Sequence, residues 1–273
     1  MRIRVSRMIA VLLCAALDAP ASADYASVNG LKMYYEMQGA GRPLVLLHGG
    51  LCTIEVCLEK IRQPFEKARK TIAIEQQAHG RTADIDRPLS VEQMTEDTAA
   101  LLRQLKIKNA EVFGYSMGGS IALGIALKHP DLVRKVAIFG TAYSNEGMVP
   151  GLVDNIKALK ADDVPKQFYD GYVKVAPDPK QWPALVAKVA NMLPSSKGFA
   201  PEDVRSIKAP TLIMIGDSDI VRPEHAVEMF RLHQHAQLSV LPGASHFAPM
   251  ERPDWIVSMT KAFFAAPMPK AKE

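Results

Sequence analysis

Apolar residues in this chain come in two patterns: short continuous runs, and longer stretches where they recur every three or four positions. The two alternate, which predicts a repeating strand-helix order. Runs at 43–47, 71–74, 110–113, 133–139, 211–215 and 238–241 show little polar alternation, as expected of strands covered on both faces of a mostly parallel sheet. Helical spacing occupies 56–68, 121–128, 223–232 and 254–264, and Ser90-Val91-Glu92-Gln93 has capping-box spacing before a helix that reaches Leu105. Near the start, runs at 25–28 and 31–38 flank Asn29-Gly30, the preferred dipeptide of a two-residue hairpin turn. Between 141 and 209 the strand rhythm stops. Helix-like stretches at 153–159, 164–173 and 182–192, punctuated by prolines, predict a helical cap inserted after the sixth strand. The expected architecture is therefore an α/β core over 24–140 and 210–265, the cap over 141–209, and a disordered tail over 266–273.

A chain of 273 residues with 48% hydrophobic content can bury one large core, so one α/β domain with an insertion fits better than two separate domains. Its first 23 residues combine Arg2, Arg4 and Arg7, an apolar run over 8–17, and Ala21-Ser22-Ala23, the three regions of a secretory signal peptide. Cleavage after Ala23 and a periplasmic or secreted product are expected. The apolar run is about half the roughly 20 residues that a membrane-spanning helix needs, so no stable membrane insertion is expected after cleavage. Losing three arginines and Asp18 takes the formal net charge from +4 to +2. The remaining lysines are scattered, which argues against a nucleic-acid partner. Of the cysteines, Cys52 and Cys57 survive cleavage. Export allows a disulfide between them, but five positions along a regular helix would hold them too far apart, so free thiols are expected.

Candidate chemistry centres on Glu111-Val112-Phe113-Gly114-Tyr115-Ser116-Met117-Gly118-Gly119, where an apolar strand runs through Gly-x-Ser-x-Gly straight into an apolar helix. That context puts a serine hydroxyl at a tight corner above the carboxyl edge of a sheet, beside the free amides of a helix N-terminus. Side chains at Gly114 and Gly118 would collide where strand and helix pass. A serine hydroxyl needs a base and a carboxylate that orients it. Asp217 and Asp219 follow one strand and His246 follows the last. Singly, each reads as a turn residue. Together, at three strand ends in the order Ser, Asp, His, they read as a triad.

These residues resemble the α/β-hydrolase fold superfamily from the His48-Gly49-Gly50 loop to the His246 loop. The resemblance implies a catalytic Ser116, His246 and Asp219, the acid falling three residues after Gly216, with Asp217 in reserve. It implies an oxyanion hole made by the backbone N–H of Gly50, or alternatively Leu51, with that of Met117. His48 and His79 are implied to shape loops. The segment Glu75-Gln76-Gln77-Ala78-His79-Gly80-Arg81 departs from the aspartate, arginine and glycine that many relatives carry before the histidine. A serine nucleophile excludes the aspartate-based epoxide hydrolases and haloalkane dehalogenases. It suits acyl transfer from a small-molecule ester or lactone, with no metal or organic cofactor. The same triad also serves carbon-carbon bond hydrolases and cofactor-free perhydrolases, whereas non-catalytic binding modules of this fold usually lack a triad residue. Phe168, Tyr169, Tyr172 and Trp182 in the cap either line an apolar substrate pocket or pack the cap helices.

Overall fold

The computed structural model describes residues 22–269; most of the expected leader, 1–21, and the tail positions 270–273 lie outside the described residues. Eight strands form one sheet: β1 (Ser22–Val28), β2 (Leu31–Gln38), β3 (Arg42–Leu47), β4 (Arg69–Ile74), β5 (Ala110–Tyr115), β6 (Val133–Phe139), β7 (Thr211–Ser218) and β8 (Ala236–Ser245). Their spatial order is β1-β2-β4-β3-β5-β6-β7-β8. The β1–β2 and β2–β4 pairs are antiparallel and every other pair is parallel. At the opening hairpin Asn29 and Gly30 have φ of 49° and 82°, both left-handed, as a type I′ turn requires. The continuous apolar runs are central strands: Leu44 to Leu47, Val112, Phe113 and Val136 to Phe139 are fully buried.

Among the described residues ten α-helices accompany the sheet. Before the cap come α1 (Glu59–Arg62), α2 (Val91–Gln104) and α3 (Met117–Lys128); within it are α4 (Leu152–Lys157), α5 (Lys166–Val175), α6 (Trp182–Ser195) and α7 (Pro201–Ser206); after it follow α8 (Pro223–Leu232), α9 (Ala248–Glu251) and α10 (Pro253–Ala265). Ser90 Oγ accepts the Gln93 N–H at 3.1 Å and caps α2. The four cap helices all fall between β6 and β7.

From β3 the chain steps to β4 on one side and then crosses to β5 on the other. The carboxyl ends of β3 and β5 are thus where strand order reverses, the place where an open α/β sheet leaves a crevice for ligands.

Three expectations need correction. The single helix expected over 56–68 is broken into a π-helical turn (Ile54–Leu58), α1 and a 3-10 turn (Gln63–Phe65), where Pro64 offers no N–H to continue. Cys52 and Cys57 are not free thiols but a disulfide with Cα atoms 5.9 Å apart. Cys52 stands before the helical segment rather than on it, because left-handed Leu51 (φ 63°) and extended Thr53 fold the chain back on itself. The described part of the tail also begins in ordered contact. Buried Lys135 donates from Nζ to the carbonyls of Phe263, at 2.8 Å, and Ala266, tying β6 to the negative end of α10.

Candidate active site

The site grows from the end of β5. Ser116 has φ 52° and ψ −117°, outside the regions L-residues favour, and N-caps α3. The corner closes only without side chains: a Cβ on Gly114 would lie 2.3 Å from Gly118 O, and one on Gly118 would lie 2.2 Å from Leu47 O. Ser116 N–H donates to Phe139 O at 2.9 Å, and Thr141 Oγ1 donates to Ser116 O at 3.1 Å, so β6 and the loop after it hold the turn.

At the ends of β7 and β8 the chain supplies a carboxylate and an imidazole. A Cβ on Gly216 would stand 1.9 Å from Ala244 O, so that glycine lets the two strand ends close up. His246 Nε2 is 3.1 Å from Ser116 Oγ, and its Nδ1 is 2.7 Å from Asp219 Oδ1. Asp219 is buried and accepts the N–H groups of Gly216 and Val221, each at 3.3 Å, which aims its carboxylate at the ring. Asp217 is exposed and turned away: its Oδ2 accepts from Gly243 N–H at 2.9 Å, and that bond holds its carboxyl below the usual range. The Tyr115 ring lies 5.2 Å from the His246 ring. A Cβ on Gly140, where φ is 62°, would sit 2.7 Å from His246 Nδ1.

The loop after β3 carries the other half of the site. Leu51 N–H is already used, donating to His79 Nε2 at 3.1 Å, while His79 Nδ1–H donates to Gln77 O at 2.8 Å. Gly50 and Met117 N–H have no hydrogen-bond acceptor among the described residues. That leaves Gly50, rather than Leu51, free to pair with Met117 beside Ser116. His48 Nε2 accepts Gln76 N–H at 3.1 Å, its Nδ1–H donating to Gly49 O at 2.7 Å. Both rings are fully buried, which lowers their pKa to about 4 for His48 and about 3 for His79, the latter also through the neighbouring His48. Neither lies within reach of Ser116 in the manner of His246; each spends both nitrogens on backbone. Glu75 stands where the resemblance leads one to expect an aspartate. It accepts from the N–H groups of Ile54 and Arg81, and burial pushes its carboxyl up to about 7 against the pull of Arg81. Ala78 adopts φ 66°, the left-handed conformation a glycine would occupy more cheaply.

A cavity of about 300 Å³ opens beside Ser116, Gly50 and Met117. None of the four cap aromatics lines it. Tyr172 packs tilted and Tyr169 edge-on against Trp182, with ring centroids 5.4 and 5.8 Å apart, and Phe168 packs on Phe247 at 6.0 Å, so these rings hold the cap together and to the core. The cap presents Val189, Met192 and Leu193 of α6 to the cavity instead, with Phe199 beyond it. Those three fall at i, i+3 and i+4 on one helix face, the signal that singling out large aromatic rings passes over.

A sequence model of the alpha/beta hydrolase family matches residues 44–259. The AB hydrolase superfamily protein YisY of Bacillus subtilis is 28% identical over 258 residues, covering 85% of this chain and 94% of that protein. The 2-hydroxy-6-oxo-6-(2'-aminophenyl)hexa-2,4-dienoic acid hydrolase of Metapseudomonas resinovorans is 24% identical over 261 residues, 88% of this chain and 90% of its own. Among solved structures, Est816, described as an N-acyl homoserine lactone degrading enzyme, superposes with a TM-score of 0.73 at 25% identity, covering 88% of this chain and 100% of that one.

Proposed function

We propose, from the premise that the chain belongs to the alpha/beta hydrolase family, that it is an exported serine hydrolase which cleaves a carboxylic ester or lactone through an acyl-enzyme. The observation that carries this reading is the unbroken relay of Asp219, His246 and Ser116, with contacts of 2.7 and 3.1 Å. In that relay Nδ1–H points at Asp219, leaving Nε2 free to accept a proton. Ser116 Oγ attacks the carbonyl carbon as Nε2 takes its proton, and the resulting oxyanion is received by the N–H groups of Gly50 and Met117. The bond to the leaving oxygen then breaks, Nε2 returns the proton to it, and the alcohol departs. Water attacks the acyl-enzyme after giving a proton to Nε2. That proton passes back to Ser116 Oγ as the carboxylic acid leaves.

The dienoic acid hydrolase among the relatives supports a second reading, carbon-carbon bond hydrolysis on the same relay. The cavity speaks against it: its single cationic wall residue is Lys128, three turns along α3 from Ser116, so a substrate carboxylate near the scissile bond has no partner there. Export is supported by the leader pattern over 1–23 and by the Cys52–Cys57 bond, which persists in an oxidising compartment. Cleavage after Ala23 removes the β1 pairs of Ser22 and Ala23 but keeps those from Asp24↔Tyr35 to Val28↔Leu31. The test is labelling with an organophosphonate in the native host's envelope fraction. Label on Ser116, absent from Ser116→Ala, in a protein whose N-terminus is Asp24 is the expected result. Label on another serine removes the nucleophile, and an intact Met1 in soluble cytoplasm removes export.

A further inference from the structure

Resting on the ester reading above, we infer that the acyl group is an unbranched apolar chain that lies along α3, so that the enzyme selects esters by acyl length. The cavity floor is one face of that helix. Ser116, Ser120, Gly124, Leu127 and Lys128 all line it, at spacings of three or four residues. Ser120 and Gly124 are small and make a groove, and Gly124 draws α2 close: a Cβ there would lie 2.5 Å from Thr95 Oγ1. The opposite wall is apolar, from Val189, Met192, Leu193 and Phe199. Twelve residues of helix at 1.5 Å each carry the groove about 18 Å from Ser116 to Lys128. There Lys128 and Glu92 are exposed and, with Asp203, form a charged mouth. A cavity of about 300 Å³ with this lining has room for an extended apolar chain.

His246 decides which half of the substrate enters. The leaving oxygen must stay within reach of Nε2, and neither His246 nor Phe247 lines the cavity. The group running into it is therefore the one that remains on Ser116, the acyl group, while the alcohol leaves on the His246 side, outside this cavity. Tyr143, Met148, Ile156 and Ile220 line the cavity as well.

The experiment is a chain-length profile with p-nitrophenyl acetate, butyrate, octanoate, dodecanoate and palmitate, with a simple γ-lactone assayed alongside. Each fully buried methylene raises kcat/KM by about fourfold, which sets a ceiling of about 4000-fold for the six that separate octanoate from acetate, and partial burial should still leave octanoate about 100-fold ahead. Ser120→Leu plugs the groove about 6 Å from Ser116 and should lower the octanoate-to-acetate ratio at least tenfold. Leu127→Trp plugs it about 16 Å away and should break the profile only at the longest chains. A profile that is flat or highest at acetate, with esters still cleaved and Ser116 still labelled, overturns the inference and leaves the ester reading standing. A break produced by Met148→Trp, and by neither α3 plug, places the chain against the Tyr143, Met148 and Ile156 wall instead of α3 and also overturns it. Failure to cleave any ester or lactone overturns both readings. If Ser120→Leu does not melt cooperatively, the wild-type and Leu127→Trp profiles decide.

Discussion

Ser116 occupies backbone angles that serine avoids, a strain of about 1–3 kcal/mol that persists only because Gly114, Gly118 and the buried length of α3 leave the chain no other path. What the strain achieves is presentation: the hydroxyl stands clear of the sheet edge, 3.1 Å from the imidazole. The same scale separates the two aspartates. Both are two residues or fewer from the β7 turn, yet one is buried with its oxygens on His246, Gly216 and Val221, and the other is exposed on Gly243. Asp219→Asn should keep the fold and lose up to about 10⁴-fold in kcat, because the wrong tautomer then faces the serine. Asp217→Asn should be mild, since asparagine still accepts from Gly243 N–H. Ester turnover measured beside melting temperature checks the pair; a large loss in Asp217→Asn with Asp219→Asn near wild type would reverse the roles. Sequence spacing preferred Asp219 but left Asp217 open, because two positions in a turn can each face the ring until the hydrogen bonds around them are known.

At the scale of elements, the loop after β3 is held from several sides: His79 takes Leu51 N–H, Glu75 takes Ile54 N–H, and the Cys52–Cys57 disulfide closes the turn between them. Under the mechanism proposed above, such bracing would hold Gly50 N–H in place for the oxyanion before the reaction begins. Replacing both cysteines with serine should cost about 2 kcal/mol, the loop-closure value for so short a ring. If the bracing serves the transition state, kcat should fall in the same variant while KM changes little. Denaturation curves and steady-state kinetics on the double variant test both halves, and an unchanged kcat would make the bond purely structural. This element was poorly legible in the sequence. Helical periodicity across 56–68 suggested one regular helix, and the segment instead passes from π to α to 3-10 hydrogen bonding, with Pro64 unable to donate in its last turn.

Over the whole molecule, burial of neutral histidines makes the fold acid-sensitive. The ordinary histidine pKa is 6.5, and the native structure lowers His48 to about 4 and His79 to about 3. Between those limits the unfolded chain binds protons that the native one excludes, so these groups remove stability as pH falls below 6.5. Glu75 acts in the opposite sense: raised to about 7, it holds a proton natively that the unfolded chain releases above its ordinary 4.5, so its contribution falls as pH rises through that window. The histidine part can be isolated. His79→Gln should melt lower than wild type at pH 7, and the gap between the two melting temperatures should narrow as pH drops from 6.5 to 4.5. A gap that widens on acidification would contradict the neutral, buried state. The alternation of strands and helices, the sixth-strand insertion and the strand-end positions of Ser116, Asp219 and His246 were set by the sequence itself, because periodicity and glycine-bearing turns are properties of neighbours along the chain. The residues that wall the cavity, the free Gly50 N–H and the Cys52–Cys57 pairing were decided only by tertiary structure. Each depends on which surfaces face one another across the cap and the β3 loop, and residues far apart in sequence carry no local mark of that meeting.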